Sequence, residues 1–345
     1  MIDNKLTLII LTYNRYSYLK RLIKFYNFLQ CKFNILVLDS SSEPLNDKDL
    51  ITMLNSENIV WKKFNSKIFF AKKIAEGSKF INTDFSTLCA DDDIIFPEGL
   101  RRSMNFLNEN KDFSSCFGVT YKHLIKNIFG KKFLHFEKKN INYEFLEDNS
   151  YARIEKYLTQ NSSYYPMYSV HRSEDFKRIW NTTANYVTFW GLSEVFPCCL
   201  SLSIGKMKIL NTPYISRERN NFSWQNEQIQ KEMYSLEKME LVKKILAEFL
   251  ANKEKKSLTE NLKFTHKVFN SFLYKLNQKK KYKVDSIFYK LKFLIKRFIK
   301  FYLLGWNSKI KDLDIQTNLY LNEAIKDEKV NYMEIEKSRK TYGLK

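Results

Sequence analysis

Three apolar stretches, Leu6 to Leu11, Phe33 to Leu38 and Thr87 to Ala90, run without the regular polar interruptions of a half-exposed strand. Runs of this length, rich in β-branched and leucine side chains, mark strands covered on both faces. Segments with helical spacing separate them. Tyr18, Leu19, Leu22, Ile23, Phe25, Tyr26 and Leu29 follow the first run. Leu50 to Leu54 and a short strand, Ile59-Val60-Trp61, follow the second, and Ile68 to Phe80 precedes the third. Strand alternating with helix predicts an α/β fold with a doubly wound, mainly parallel, Rossmann-like sheet. Such sheets take ligands beyond the carboxyl ends of their strands. Polar residues stand at just those points: Thr12-Tyr13-Asn14-Arg15, then Asp39, then Asp91-Asp92-Asp93. They should converge.

Three adjacent carboxylates repel one another and need compensation. A divalent cation supplies it, since Mg²⁺ typically takes one or two carboxylates plus substrate phosphates. An acidic loop or a helix start would use the same residues, and the triplet alone leaves both readings open.

The order Leu11-Thr12-Tyr13-Asn14-Arg15, Asp39 and an acidic triplet resembles family-2-like glycosyltransferases of the GT-A fold, over roughly residues 5–225. Ala71-Lys72-Lys73 looks like a basic variant of the segment preceding that family's metal motif. The resemblance implies a nucleotide-sugar donor, commonly a UDP-sugar, and a Mn²⁺ or Mg²⁺ cofactor. Thr12, Tyr13, Asn14, Arg15 and Asp39 would hold the nucleoside, with Asp39 accepting from the base. Asp91 would face the ribose, Asp92 would lie alongside, and Asp93, with Asp91, would ligate the metal. Lys73 would belong to the nucleotide-sugar site, although Lys72 and Lys73 also read as a solvated helix face. Asp39 also suits an Asx turn.

Further along, Gly99 to Asn108 reads as a helix, Cys116 to Tyr121 as a strand, and residues 122–150 show no clear period. Pro166 to Arg172 reads as a strand, with Ser173, Glu174 and Asp175 as a helix N-cap cluster. His171 reads as structural, or with Arg172 as an acceptor contact. In Thr188-Phe189-Trp190-Gly191-Leu192-Ser193-Glu194, a lone acid sits among aromatics at a helix start. Burial there would raise its pKa toward the range of a general base, while a helix N-terminus favours a glutamate for its dipole alone. In the resembling family an acid at this point deprotonates the acceptor hydroxyl in an inverting displacement; Ser193-Glu194 replaces the family's usual acid pair. After a turn and strand from Gly205 to Pro213, a basic and aromatic segment closes over the donor in similar enzymes, which makes Arg217 the first candidate for the diphosphate and Arg219 the second, although either also reads as an ordinary surface arginine.

A net charge of +20 and a pI near 9.5 call for an anionic partner: nucleic acid, acidic phospholipid or a phosphorylated substrate. No nucleic-acid module accompanies the charge. Residues 275–311 hold twelve basic residues and one acid, with Val284, Ile287, Leu291, Leu294, Phe298 and Phe301 as an apolar stripe and Tyr302 and Trp306 as anchors. That is the pattern of a helix lying on an anionic membrane surface; a helix packed on the catalytic domain would show a similar stripe. The five cysteines have no metal-ligand spacing, which makes a reducing, cytoplasmic setting the default. No run reaches the roughly 18 apolar residues of a membrane span. Met1 to Lys5 leads into a first strand, not a signal peptide.

These readings divide the chain into residues 1–225, a GT-A domain with a nucleotide-sugar half (1–97) and an acceptor half (98–225), and a basic helical extension at 226–345. The expected activity is glycosyl transfer to a glycan or lipid-linked acceptor, as in capsule or lipo-oligosaccharide synthesis, at the inner face of the cell membrane. Two rivals remain. One is a membrane- or nucleic-acid-binding protein without turnover. The other is a sugar-phosphate nucleotidyltransferase, which would carry a Gly-rich first loop that Thr12–Arg15 lacks.

Overall fold

The computed structural model describes residues 2–128, 131–139, 144–159, 165–189, 192–218, 236–283 and 317. Its first half alternates as the apolar pattern demands: β1 (Leu6–Thr12), α1 (Tyr16–Phe28), β2 (Asn34–Asp39), α2 (Lys48–Leu54), β3 (Ile59–Lys63), α3 (Phe70–Ser78) and β4 (Phe85–Ala90). β3, β2, β1 and β4 lie side by side and parallel. Leu8, Ile9 and Ile10 of β1, Leu36, Val37 and Leu38 of β2, and Leu88 and Cys89 of β4 are all buried. Register sets the site. Thr12 pairs with Asp39 and Leu11 with Ala90, so the three strands end at one level.

The second half adds β5 (Ile94–Ile95), α4 (Pro97–Glu109), β6 (Phe113–Ile128), β7 (Lys131–Lys138), α5 (Ser150–Thr159), β8 (Val170–Arg172), α6 (Ser173–Tyr186), α7 (Val195–Ile204) and β9 (Lys206–Glu218). β8 joins β4 antiparallel, and the nine-stranded sheet continues through β6 and β9 to β5, with β7 paired to β6. The result is a mixed sheet whose parallel half carries the strand-end acids.

Several local features differ from expectation. Within the aperiodic stretch after Tyr121, the described residues include the far half of β6, its antiparallel partner β7 and the approach to α5. Pro166 to Tyr168 belongs to a 3₁₀ turn (Tyr165–Tyr168), leaving β8 only three residues. Arg172, not Ser173, occupies the cap position of α6, with Glu174 and Asp175 in its first turn. β9 runs unbroken through Pro213. A proline cannot donate to a strand ladder, and the sheet accommodates it with register shifts around Val119, its partner on β6. Gly118 makes room there: a Cβ would fall 2.5 Å from Thr212 O and 2.8 Å from Tyr214 Cβ.

Two helices, α8 (Leu236–Glu254) and α9 (Leu258–Lys283), follow the sheet. Both pack on it. Val242, Leu246 and Leu250 of α8 and Val268, Phe269 and Phe272 of α9 are buried, Tyr151 of α5 meets Phe264 edge-on at 4.4 Å, and Arg178 of α6 lies 4.3 Å over Phe249. The apolar stripe from Val284 to Phe301, with Tyr302 and Trp306, lies outside the described residues. No described helix is long and apolar enough to cross a membrane.

Candidate active site

Where β1 ends, the chain turns sharply. Asn14 adopts a left-handed backbone (φ 51°), a conformation that asparagine tolerates better than most residues. Its amide N donates to Ser41 Oγ at 2.7 Å and its side-chain carbonyl accepts from Ser42 N at 2.9 Å, which ties the first turn to the second. Tyr13 is buried at the same turn.

Asp39 is fully buried at the end of β2. One carboxylate oxygen accepts from Ser41 N at 2.7 Å. The other accepts from Tyr16 Oη at 2.9 Å, Lys63 Nζ at 3.0 Å and Trp61 Nε1 at 3.3 Å. The Ser41 contact is the expected Asx turn, but Tyr16, Trp61 and Lys63 give the same carboxylate a second task. They form a half-exposed rim of two aromatics and a cation.

Lys73 is not on a solvated helix face. Lys72 is: its side chain is 53% exposed and pairs with Glu76. Lys73 turns inward, where Nζ donates to Thr12 O at 3.0 Å and Ser40 Oγ at 2.9 Å. Helical spacing alone does not separate these neighbours; the missing signal was that the ends of β1 and β2 present a carbonyl and a hydroxyl to α3. Burial brings the Lys73 amine down to about 8, against the pull of Asp39 and Asp91. Lys73 therefore supports the turns from beneath.

The acidic loop follows β4. Asp91 and Asp93 are almost fully buried, whereas the Asp92 side chain is 17% exposed. Arg15, at the cap position of α1, pairs with Asp91 at 3.1 Å and Asp92 at 2.7 Å. Although burial opposes it, the charge on these two acids holds its guanidinium above the usual arginine range. On the far side, Asp93 accepts from Arg217 Nε at 3.1 Å and from Glu218 N at 3.2 Å. Burial still pushes the Asp91 and Asp93 carboxyls well above the usual range, despite Arg15 and Arg217. Asp91 Oδ2 has no donor in hydrogen-bonding geometry. The loop remains short of positive charge.

Glu194 occupies the cap position of α7, and its side chain makes no capping hydrogen bond. Burial raises its carboxyl, with Arg217 pulling the other way. Arg217 in turn feels Asp93, Tyr168, Glu194 and Asp92, and its guanidinium lies 5.0 Å over the Tyr168 ring. One arginine thus sits within the field of both the acidic loop and the isolated glutamate. Trp190, Gly191 and Arg219 lie outside the described residues.

His171 is buried between Ser169 O (2.9 Å) and Ser201 Oγ (3.0 Å), and burial lowers it to about 4. Arg172 donates to Leu107 O at 2.6 Å. Both are structural. All five cysteines are buried and unbridged.

Among the described residues no group of three or more His, Cys, Asp or Glu side chains is arranged to hold a metal ion. Mg²⁺ needs only one or two protein carboxylates when phosphate oxygens complete its shell. The raised carboxyls and the orphan Asp91 oxygen fit that incomplete kind of site.

Sequence reasoning missed Tyr16, Trp61 and Lys63 around Asp39, and Tyr18, Arg21, His123 and Glu218 behind the acidic loop. For Glu218 a signal existed. Alternation along a strand sets it on the opposite face from Arg217, and so inward.

No curated protein matches this chain by sequence. Among solved structures it is similar to residues 1–349 of S. aureus TarS, at 15% identity and a TM-score of 0.49, with 78% of this chain and 70% of that chain covered. The same S. aureus protein in complex with UDP-GlcNAc gives 15% identity and a TM-score of 0.48 over 77% of this chain and 72% of that one. The model of glycosyl transferase family 2 matches residues 7–192. That is more than half of the chain, and it takes in every crevice residue from Thr12 to Asp93, with Glu194 and Arg217 just beyond. The strand-end turn, buried Asp39 and the acidic loop lie at one end of the parallel strands, and the chain belongs to glycosyl transferase family 2, a glycosyltransferase of GT-A architecture.

Proposed function

We propose that the enzyme moves a sugar from a nucleotide-sugar donor, a UDP-sugar first among the candidates, to a hydroxyl of a glycan or lipid-linked acceptor with inversion at the anomeric carbon. The observation that carries this reading is Arg217, which pairs with Asp93 at 3.1 Å and whose charge also pulls down the raised Glu194 carboxyl. Glycosyl transfer develops negative charge on the departing diphosphate and frees a proton from the attacking alcohol. Arg217 meets the first demand by electrostatic stabilisation, and Glu194, buried and raised, suits the second as general base. Thr12 to Arg15 and Asp39 take the nucleoside, with Asp39 accepting from a base N–H once the half-exposed Lys63 gives way. Asp91 faces the ribose, Asp92 lies at the rim, and Lys73 holds the turns in shape. A Mn²⁺ or Mg²⁺ ion would be held by Asp93 and Asp91 and would neutralise charge on the diphosphate. Arg219 is a second candidate for the diphosphate.

The test is nucleotide release from a panel of UDP-, GDP-, dTDP- and CMP-sugars with Mn²⁺ and a glycan acceptor mixture. Release that disappears in Asp93→Ala and in Glu194→Ala supports transfer as drawn. Release that survives Glu194→Ala removes the base assignment.

For the rest of the chain we propose a domain at 1–225 and an extension at 226–345. The latter's basic part lies on anionic lipid at the cytoplasmic face, placing the enzyme in capsule or lipo-oligosaccharide synthesis. The buried face of α9 is described as far as Phe272. Removing residues 284–345 leaves α9 whole; it should abolish sedimentation with phosphatidylserine-containing vesicles. Unchanged sedimentation removes the membrane reading.

A further inference from the structure

Behind the crevice lies a set of buried charges of which only Arg15 is given a ligand in the scheme above. Arg15, Tyr18 and Arg21 recur at every third residue and share one face of α1. The Arg15 guanidinium lies 4.5 Å over the Tyr18 ring and that of Arg21 lies 5.0 Å over it. One end of this column grips the acidic loop through Arg15. At the other end Arg21, 2% exposed, donates from Nη2 to the Glu218 carboxylate at 2.6 Å and to Asp92 O at 3.3 Å. His123 of β6 closes the set, with Nδ1 2.9 Å from Ser216 Oγ and Nε2 3.6 Å from Glu218 Oε2. The Glu218 carboxyl is held down at about 2, against burial, chiefly by Arg21.

A buried ion pair is a poor stabilising device, because desolvation cancels much of the attraction and apolar replacements often do as well. What it does supply is fixed geometry, since a guanidinium fork meets a carboxylate in few orientations. Here the geometry fixed is that of the end of β9. Ser216 and Glu218 are held on one face by His123 and Arg21. Alternation sends Arg217 to the other face, where it meets Asp93, while Glu218 N binds the second Asp93 oxygen.

We infer that Arg21 and Glu218 are positioning residues for Arg217: their ion pair pins the end of β9 to α1 and holds the Arg217 guanidinium over Asp93. The inference rests on the proposed role of Arg217 at the departing diphosphate.

Glu218→Gln alone strands a buried arginine and can fail to fold, so the informative protein is the full-length chain carrying Arg21→Met with Glu218→Leu, which removes both charges together. This variant keeps a cooperative melt, and its donor-dependent kcat falls about 100-fold, the scale of a displaced catalytic contact, with donor KM changed much less. Placed on Arg217→Ala, the same two changes cost about twofold or less, because residues acting through one group do not add. Backbone hydrogen exchange at residues 94–95 and 215–218 accelerates, while that of β1, β2 and β4 does not. A folded variant with wild-type kcat, or losses that multiply on the Arg217→Ala background, overturns the inference. Should the wild-type protein release no nucleotide, the transfer reading fails on its own, and exchange still decides. Unchanged protection at 215–218 in the double variant then refutes the pinning role.

Discussion

Asp39 ends β2 and Asp91 to Asp93 follow β4, on either side of β1, and the protein treats the two sets of carboxylates in opposite ways. A carboxylate can accept roughly four hydrogen bonds, and Asp39 receives four from Ser41, Tyr16, Trp61 and Lys63. The acidic loop has two arginines for three acids, an orphan Asp91 oxygen, and carboxyls that burial drives upward. A ligand reaching Asp39 must exchange with a donor already there, which favours selectivity over affinity. A ligand reaching the loop relieves a deficit, which favours cations and whatever the cation carries. One side of the crevice is satisfied and the other is not.

The largest effect belongs to the residue linked to the unsatisfied side through Arg217. Glu194→Gln should lower kcat about 1,000-fold, within the usual span for a general base, with donor binding retained by calorimetry. The raised Glu194 carboxyl sets the acid limb of the kcat profile above the ordinary glutamate range. Arg217 opposes that rise, so Arg217→Gln should move the limb to higher pH; a limb that moves down contradicts the shared field. Next, Asp93→Asn should reduce turnover about 100-fold and weaken the response of donor binding to Mn²⁺. Equal Mn²⁺ response in both proteins would show that the loop needs no completion. Asp39→Asn touches the satisfied side. It replaces an acceptor-only group with one that also donates, and should weaken donor binding about tenfold, the order expected for a charge-assisted hydrogen bond. It should also lower the melting temperature without donor, as the Asp93 change does not.

The smallest effect is at Lys73. Its amine titrates near 8 when folded and near 10.4 when unfolded. Between these values the unfolded chain holds the extra proton, so this group makes stability rise with pH across that window. Lys73→Met should lose that rise. Near pH 7 two hydrogen bonds of about 1 kcal/mol each disappear, offset by relief of a buried charge. Urea titrations at pH 7 and pH 10 measure both.

The parallel half of the fold was readable because both faces of its strands are covered, so β1, β2 and β4 appear as unbroken apolar runs. Their end residues could then be named. The later half was less readable. β6 passes from a covered stretch at Cys116 and Phe117 to a hairpin arm with lysines, and no single period spans both. Tyr165 to Tyr168 has strand-like composition, yet Tyr168 meets Arg217 with its ring and Tyr214 with its carbonyl, and a tight turn places it. In the site, the acids and Arg217 stood out because charges at strand ends are conspicuous. Arg21 and His123 did not, and for Glu218 strand alternation marked only that it turns inward. Each answers a partner far away in the chain, and a single sequence carries no trace of that pairing.

Gly118 has a consequence beyond the proline it accommodates. From Pro213 to Arg217 the strand extends about 13 Å, at roughly 3.3 Å per residue. Even a methyl group at position 118 would shove the strand at the near end of that span. The guanidinium rides on a lever whose fulcrum is a missing side chain, so the contact proposed for Arg217 at the diphosphate would depend on a residue that never touches Arg217 itself.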